Sequence, residues 1–398
     1  MRLPLLPILL VLVINALVDF YIYRAVSRRS PRSHHRRTMK SICLWSSVVL
    51  AAVLVAAICW PKKSGDNDEL LGLMWVLFGY FSIYIPKYVY VIFDLLASVP
   101  KLLHRHRLKW LSATGIGAGV IVFGLMWWGA LINRYRIQVN EVTVSIPTLP
   151  KSFSGLKIAQ ISDLHVGTYG HDTTFVAKLV ERINSLHPDM IVFTGDIVNR
   201  RSDELIPFAE VLSHLEAPMG VYSILGNHDY GDYYVWPSDN DKADNLQLLK
   251  DTQRRMGWKM LNNTTEMLHN GNDSIALIGV ENVGDPPFHC YGNLDTAYPG
   301  DLEDPTVKIL LSHNPAHWTS DICDAPDKNI ALTLSGHTHA MQMELFGVSP
   351  AAMRYPTWGG RYSDEAGQTL YVNIGTGEVA IPARIGATPE ITLLTITD

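Results

Sequence analysis

The first third of the chain contains long apolar stretches, whereas the apolar stretches in the remainder are short. Four long apolar stretches lie at about 3–23, 42–60, 70–86 and 111–132. Because a helix needs about 20 residues to cross the hydrocarbon core of a membrane, each stretch predicts a transmembrane helix. Trp60 and Trp110 lie at the ends of stretches, as interfacial aromatic residues do. Residues 1–134 are therefore predicted to form an all-α membrane anchor of about four helices.

Two features of these stretches allow other interpretations. Lys87 and Asp94 interrupt the continuation of the third stretch, so this span is expected to end at Pro86 or a little beyond, and an interfacial helix over 88–99 would explain the interruption. Arg2 precedes the first apolar stretch, as in a signal peptide, but the stretch lacks a clear small-residue cleavage site and three more follow it. We therefore expect a span rather than a cleaved leader.

The basic residues of the anchor predict its orientation. Those in the loop after the first span are Arg24, Arg28, Arg29, Arg32, Arg36, Arg37 and Lys40, and those after the third are Lys101, Arg105, Arg107 and Lys109. The positive-inside rule places both loops in the cytoplasm. With four crossings of the inner (cell) membrane, the chain after residue 134 is then expected on the exoplasmic, or periplasmic, side.

From residue 135 onward the apolar runs shorten to strand length and alternate with helical patterns. The predicted strands are 156–161, 190–193, 221–225, 275–280, 307–311, 330–334, 370–374 and 391–396, and the predicted helices include 173–186 and 203–215. Strands that alternate with helices indicate a layered α/β domain. We expect this domain to occupy residues 135–398.

Charge and cysteine content narrow the function classes. The formal net charge of −5 argues against nucleic acid as a partner, since a nucleic-acid-binding domain normally presents a basic face. The four cysteines are too few for a disulfide framework. Cys290 and Cys323 would form a bond only in an oxidising compartment, and two buried thiols are an equal alternative.

Five predicted strands run directly into polar motifs. These are Ser162-Asp163-Leu164-His165, Thr194-Gly195-Asp196, Gly226-Asn227-His228-Asp229, Ser312-His313-Asn314 and Ser335-Gly336-His337-Thr338-His339. Parallel strands of one sheet would bring these motifs to a common edge. Mixed nitrogen and oxygen ligands suit Mn, Fe, Zn or Co, and the set is large enough for two ions that share a bridging ligand.

In this order and context, the motifs resemble those of calcineurin-like metallophosphoesterases. The similarity covers roughly residues 150–398 and is greatest to a membrane-anchored bacterial branch, the transmembrane proteins with a metallophosphoesterase domain. It implies an α/β fold in which two stacked mixed sheets are flanked by helices, with the metals, Mn favoured, at one edge. It also implies one metal on Asp163, His165, Asp196 and His339, and a second on Asp196, Asn227, His313 and His337. Asp196 would then be the bridge.

The resemblance further implies catalytic roles for two residues outside the ligand set. His228 would stabilise the phosphoryl charge and protonate the leaving group, and Asp229 would orient its ring. One departure from the family pattern follows the last motif, where Ala340-Met341-Gln342 replaces the usual two glycines and Gln. Since both metal-binding histidines are present, this departure bears on substrate fit rather than on metal binding.

Two weaker candidates lie nearby. Asn199 either approaches the substrate or caps its loop. The aromatic-rich segment 358–362 lines the pocket, dips toward lipid or is an ordinary surface loop.

The predicted function is that of an enzyme, a membrane-anchored, two-metal phosphoric ester hydrolase acting on a phosphorylated lipid or envelope substrate. A UDP-diacylglucosamine pyrophosphatase of lipid A synthesis is an alternative, although its active site would have to face the cytosol. A phosphate-sensing membrane protein without activity is another, and the complete ligand set argues against it. The choice between monoester and diester and the oligomeric state stay open at this point.

Overall fold

The computed structural model describes residues 5–29, 34–60, 65–286, 288–323 and 325–398. The chain forms two compact units. One comprises Met1–Lys62 and Gly72–Trp128, and the other comprises Lys63–Leu71 and Gly129–Asp398. Residues 129–134, which the sequence pattern assigns to the anchor, thus pack with the second unit.

The first unit consists of long apolar helices. They are α1 (Leu5–Arg29), α2 (His34–Cys59), most of α3 (Asn67–Leu96) and most of α4 (Lys109–Leu131). All four are long and apolar enough to cross a membrane. The predicted all-α region of four helices is confirmed.

Helix α3 does not end at Pro86, so the expected interfacial helix over 88–99 is wrong. The charged residues that suggested an interruption have partners on neighbouring elements. Lys87 forms an ion pair of 2.8 Å with Asp19 of α1. Asp94 accepts a hydrogen bond of 2.8 Å from Tyr21 and pairs with Arg107. Polar groups that are satisfied in this way are compatible with a continuous membrane helix.

The second unit is built on two six-stranded mixed sheets. Its strands are β1 (Gln138–Ser145), β2 (Leu156–Ile161), β3 (Met190–Phe193), β4 (Val221–Ser223), β5 (Lys259–Met260), β6 (Thr264–Asn270), β7 (Asp273–Gly279), β8 (Lys308–Leu311), β9 (Ile330–Ser335), β10 (Gly360–Ser363), β11 (Thr369–Val372) and β12 (Glu390–Thr397). The first sheet has the order β1-β12-β2-β3-β4-β5, and the second has the order β10-β11-β9-β8-β7-β6.

The helices of this unit are α5 (Thr174–Asn184), α6 (Ala209–Leu212), α7 (Asp239–Arg255) and α8 (Leu294–Ala297). The expected helix over 203–215 is a 3₁₀ helix over Ser202–Phe208 followed by the short α6, because Pro207 cannot donate a backbone hydrogen bond. Helix α7 was not predicted. Its buried face includes a polar residue, Gln253, which accepts a hydrogen bond of 2.7 Å from Ser223.

Apolar side chains fill the space between the layers. Ile158 and Val192 of the first sheet share a core cluster with Ile309 and Leu332 of the second. On its other face the first sheet packs against α5, for example through Leu179. The predicted two-sheet α/β sandwich is therefore confirmed. Cys290 and Cys323 are both thiols rather than a disulfide, and Cys290 is exposed rather than buried as the thiol alternative expected.

The last turn of α4 leads into this unit without a loose linker. The backbone N–H of Arg384 donates to the carbonyl of Gly129 (3.3 Å). Nδ2 of Asn133 donates to the carbonyl of Arg384 (3.0 Å). Arg134 is buried and forms an ion pair of 2.9 Å with Glu378. Because these residues belong to the second unit, that unit begins within the last turn of α4.

Candidate metal centre

The five polar motifs meet at one edge of the sandwich. Strands β2, β3 and β4 are parallel neighbours in the first sheet, and β8 and β9 are parallel neighbours in the second. The backbone N–H of Asp163 donates to the carbonyl of Gly195 (2.9 Å), and that of Gly336 donates to the carbonyl of His313 (2.9 Å). Nε2 of Gln160 joins the two sheets by donating to the carbonyl of Ser335 (2.9 Å).

Several candidate ligands have a left-handed backbone. The φ angles are 52° at Asp163, 43° at His165, 60° at Asp196, 76° at His337 and 50° at His339. Few residues other than glycine adopt such angles, and they persist where the surrounding structure imposes them. The strand ends are therefore held in turns that aim consecutive side chains at one place.

Two glycines in the motifs are required by close packing. A Cβ atom on Gly226 would lie 2.2 Å from Oδ1 of Asp196, and one on Gly336 would lie 1.9 Å from Oγ of Ser162. Any side chain would collide with a candidate ligand or its neighbour. This explains why glycine opens the Gly-Asn-His-Asp and Gly-His-Thr-His motifs.

Asp163, His165 and His339 form one group of candidate ligand atoms within 4.8 Å of one another. Nε2 of His165 lies 3.1 Å from Nε2 of His339, which in turn lies 3.2 Å from Oδ1 of Asp163. Ligand atoms about 2.0–2.2 Å from a shared ion lie roughly 3.0–3.5 Å from one another. The spacing of this group fits a divalent cation.

Asp196, His313 and His337 form a second group of this kind. Nε2 of His313 lies 3.2 Å from Oδ2 of Asp196 and 3.1 Å from Oδ1 of Asn227. Nδ1 of His337 lies 2.8 Å from the same Asn227 oxygen. This donor set of two imidazoles, a carboxylate and an amide oxygen also fits a divalent cation.

Asp196 lies between the two groups. Its Oδ2 atom is 3.6 Å from Nε2 of His165 and 3.2 Å from Nε2 of His313. Asp196 also forms a third group of close donor atoms, together with His165 and His228. The structure therefore brings all seven predicted ligands together, with Asp196 in the position that a bridging carboxylate requires.

The electrostatics of the centre favour bound cations. Burial lowers the pKa of His165 well below its usual range and that of His337 to about 3, so both rings are neutral, as metal ligands must be. Although burial opposes the shift, His313 and neighbouring imidazoles hold the pKa of Asp196 well below its usual range. Burial would also lower the pKa of His313, but Asp196 raises it to about 9. A positive charge is therefore stabilised beside Asp196.

The structure corrects the expected role of Asp229. Its carboxylate accepts hydrogen bonds from the backbone N–H groups of Asp196, Ile197, Val198 and Gly226, at 2.9, 2.9, 3.3 and 2.9 Å. With both oxygens engaged in this way, Asp229 shapes the ligand-bearing loops rather than the ring of His228. Burial and the nearby Asp196 charge raise the pKa of Asp229, and the backbone donors oppose the shift.

The ring of His228 is held by a backbone carbonyl instead. Its Nδ1 atom lies 2.7 Å from the carbonyl oxygen of Asn199. Since a carbonyl only accepts, Nδ1 carries the proton and Nε2 is left for the substrate side. Desolvation lowers the pKa of His228. Asn199 therefore supports His228 through its backbone, while Nδ2 of its side chain donates to Oγ1 of Thr168 (3.2 Å).

Aromatic side chains complete the surroundings of the ligands. Tyr233, which sequence analysis missed, stacks on His228 with ring centroids 4.2 Å apart, and its hydroxyl accepts from Nδ2 of Asn227 (2.8 Å). The hydroxyl of Tyr355 lies 3.0 Å from Nε2 of His337. Four aromatic residues follow Gly-Asn-His-Asp closely, at 230, 233, 234 and 236. This cluster could have predicted an aromatic contact with His228, such as the one that Tyr233 makes.

A buried charged network behind the ligands was also missed. Nη2 of Arg384 lies 3.2 Å from Nδ1 of His339 and donates to the carbonyl of Gly377 (2.6 Å). The residue after Gly377 is Glu378, which is fully buried and forms an ion pair with Arg134. The arginines belong to segments distant in sequence from the metal motifs, so only the fold reveals the connection.

The segment 358–362 is divided between two roles. The carbonyl of Trp358 accepts a hydrogen bond of 2.5 Å from Thr338, inside the Gly-His-Thr-His motif. Gly360 begins the edge strand β10, which pairs with β11. The segment is thus not a free surface loop, and its first residue braces a ligand-bearing turn.

Family models of known proteins match both parts of this chain. A family model described as "Calcineurin-like phosphoesterase" matches residues 156–341, and one described as "Probable Calcineurin-like phosphoesterase, transmembrane domain" matches residues 1–134. The chain is 29% identical to the uncharacterized metallophosphoesterase YkuE of Bacillus subtilis (strain 168) over 308 residues, which cover 74% of this chain and 98% of the relative.

Two further relatives carry more specific descriptions. A transmembrane protein with metallophosphoesterase domain from Danio rerio is 28% identical over 403 residues, covering 96% of this chain and 87% of the relative. The UDP-2,3-diacylglucosamine pyrophosphatase LpxG of Chlamydia muridarum (strain MoPn / Nigg) is 30% identical over 280 residues, covering 59% of this chain and 78% of the relative. Family models thus match both the membrane helices and the domain that holds the candidate ligands, and the chain belongs to the calcineurin-like phosphoesterases, as a membrane-associated hydrolase of that family.

Proposed function

We propose that this protein is a two-metal phosphohydrolase of the inner membrane that cleaves phosphoester bonds in a lipid-linked or envelope substrate on the exoplasmic side. The observation that carries the two-metal proposal is the position of Asp196. Its Oδ2 atom lies 3.6 Å from one candidate ligand group and 3.2 Å from a member of the other. One carboxylate shared by two sets of mixed donors fits a pair of ions, with Mn favoured over Fe or Zn.

The ligands divide between the two ions by their contacts. Asp163, His165 and His339 would hold one ion, and Asn227, His313 and His337 would hold the other, with Asp196 common to both. When bound, divalent ions neutralise charge on the phosphoryl group and activate the attacking water.

His228 has the geometry of the general acid. The Asn199 carbonyl holds Nδ1, which leaves Nε2 for the substrate, and His228 lies beside Asp196 and His165. A proton on Nε2 would pass to the oxygen of the leaving group as its bond to phosphorus breaks. Tyr233 limits rotation of the ring by stacking on it.

Contacts at the start of α3 support an exoplasmic catalytic domain. Nδ2 of Asn67 donates to the carbonyl of Gly167 (2.8 Å), and Nη2 of Arg200 donates to the carbonyl of Asp66 (3.0 Å). Residues 65–67 connect spans two and three, so they lie on the membrane side opposite the basic loops. Since the basic loops are expected in the cytoplasm, a domain in contact with residues 65–67 is expected outside.

Hydrolysis by the full-length protein in detergent tests this proposal. The metal-free protein should gain activity on bis-p-nitrophenyl phosphate when Mn²⁺ is added, and the bound metal should approach two ions per chain. Saturation at a single ion with full activity would contradict the two-metal arrangement. Absence of hydrolysis with every divalent metal tried would favour the non-catalytic alternative.

A UDP-diacylglucosamine pyrophosphatase is the second candidate, and the 30% identity to LpxG of Chlamydia muridarum favours it. A UDP-linked substrate is available in the cytosol, so this function requires the opposite orientation of the catalytic domain. Release of UMP from UDP-2,3-diacylglucosamine by the full-length protein, together with a cytosolic C-terminus, would establish it over the first.

A further inference from the structure

An apolar turn projects from the catalytic unit close to the metal centre. Residues Leu345, Phe346, Gly347 and Val348 form this turn, here called the apolar tip. The backbone N–H of Leu345 donates to the carbonyl of Val348 (2.9 Å), and that of Val348 donates to the carbonyl of Leu345 (3.1 Å). Phe346 and Gly347 have φ angles of 54° and 78°, as the central residues of a tight hairpin turn do.

The side chains of the apolar tip are exposed. Relative exposure is 105% for Phe346 and 67% for Val348, and two nearby residues, Met353 and Ile381, reach 92% and 42%. Turn positions normally carry Gly, Asn, Asp or Ser, which are compatible with water. A tip without any polar side chain therefore indicates a surface that contacts an apolar phase.

The apolar tip lies near the point where α4 ends. The residues before it, Met343 and Glu344, pair with Ile385, because Glu344 N–H donates to the Ile385 carbonyl (2.9 Å). The neighbouring Arg384 contacts the carbonyl of Gly129 in the last turn of α4. One extended segment thus separates the tip from the end of a membrane-spanning helix.

The apolar tip is also connected to the metal ligands. It begins six residues after His339, and Ser349, which follows it, donates through Oγ to the carbonyl of Ala340 (2.6 Å). The same loop ends at Tyr355, whose hydroxyl contacts Nε2 of His337. The exposed side chains therefore stand on the rim of the centre.

From these contacts we infer that the apolar tip inserts into the lipid surface beside the fourth span and delivers membrane-embedded phosphoesters to the metal centre. Phe and Leu side chains on a turn suit the boundary between head groups and acyl chains. A projecting ring on a two-residue turn gives little flat area for docking a protein, whereas it fits between lipid chains. The delivery of lipid rests on the proposed function, but the insertion does not.

Spin labelling of the full-length protein tests the insertion directly. Native cysteines are replaced by alanine, retained activity on bis-p-nitrophenyl phosphate verifies the fold, and a nitroxide is attached at Phe346→Cys in nanodiscs of phosphatidylglycerol and phosphatidylcholine. The label should be accessible to oxygen and shielded from a water-soluble nickel complex. A label at Leu248→Cys, on the exposed face of α7, is the matched control and should show the reverse. Equal nickel accessibility at both positions would overturn the inference.

Kinetics in the same nanodiscs test delivery. Phe346→Asp should raise the KM for a phospholipid with a p-nitrophenyl phosphate head group about tenfold, since a phenyl ring inserted among lipid chains is replaced by a charge. The KM for bis-p-nitrophenyl phosphate should change less than about twofold, and Leu248→Asp should change neither. An equal effect of Phe346→Asp on both substrates contradicts delivery. If the native protein ignores the lipid while the label at 346 is buried, the proposed substrate class fails and the insertion stands.

Discussion

Nδ1 of His228 donates a hydrogen bond to the carbonyl oxygen of Asn199 across 2.7 Å. This contact, rather than a carboxylate, fixes the orientation of the proposed general acid. It leaves Nε2 as the atom that can exchange a proton with the substrate. The acid is thus positioned by the backbone of the loop that follows β3.

Replacement of His228 should slow the reaction without emptying the centre. For His228→Gln we expect both metals to remain bound and kcat to fall about 10²–10⁴-fold, the usual contribution of general acid catalysis. The loss should be greatest for alkyl esters, whose leaving groups need the proton, and smallest for p-nitrophenyl esters. An equal loss for both classes would assign His228 to charge stabilisation instead.

Asp229→Asn should affect stability and metal binding together. An amide nitrogen would face backbone N–H groups that now donate to the carboxylate, and leaving such buried donors unsatisfied costs about 1–3 kcal/mol. We expect a lower midpoint of thermal unfolding and fewer bound ions in the same variant. Asp189→Asn, just before β3, is the control and should lower the midpoint less, because its carboxylate accepts from one backbone N–H among the described residues, that of Lys157 (2.8 Å). A normal midpoint with reduced activity would instead restore a catalytic role for Asp229.

The shared position of Asp196 predicts that its loss weakens both ions. Asp196→Asn should leave less than about one ion per chain, whereas Asp163→Asn should mainly affect one of the two. Elemental analysis after equilibrium dialysis against Mn²⁺ measures both variants. If Asp196→Asn retains more metal than Asp163→Asn, the bridging assignment is incorrect.

The ion pair between Arg134 and Glu378 predicts where the catalytic domain can be cut. Removing one partner of a buried pair costs about 3–5 kcal/mol, because the other charge is left uncompensated. A fragment that starts at residue 136 should therefore unfold at lower urea concentration than one that starts at 129. In the full chain, Arg134→Met should be destabilised, and adding Glu378→Gln should recover most of the loss. Failure of the second change to restore stability would point to contacts other than the charge pair.

The topology predicts the behaviour of C-terminal fusions. Alkaline phosphatase fused after Asp398 should be active, and green fluorescent protein exported by the general secretion route should be dark. Fusions after residue 104, in the basic loop between spans three and four, serve as the control and should give the opposite pattern. A fluorescent C-terminal fusion would place the metal centre in the cytosol and favour the UDP-lipid substrate.

The parts of this protein that could be predicted from the sequence are those that depend on short local patterns of residues. The four apolar helices and the strands that lead into Asp163, Asp196 and His313 follow from runs of apolar residues, and the ligands follow from short motifs. The polar helix α7 and the contacts of Arg384 were not predictable, because they depend on which distant segments pack together. Asp229 illustrates the same limit, since its motif suggests a partner for His228 whereas the turn directs it to the backbone.

The position of β12 has a consequence for synthesis. This strand follows the other eleven described strands in sequence, yet it lies between β1 and β2 in the first sheet. The register joins Thr392 to Gln160, only a few residues before Asp163. A nascent chain therefore lacks the strand that joins β1 to β2 until residues 390–397 have been synthesised, and a ribosome that stops before residue 390 yields a product without a continuous first sheet. If the domain crosses the membrane, it does so before folding, and its ligands first meet on the far side.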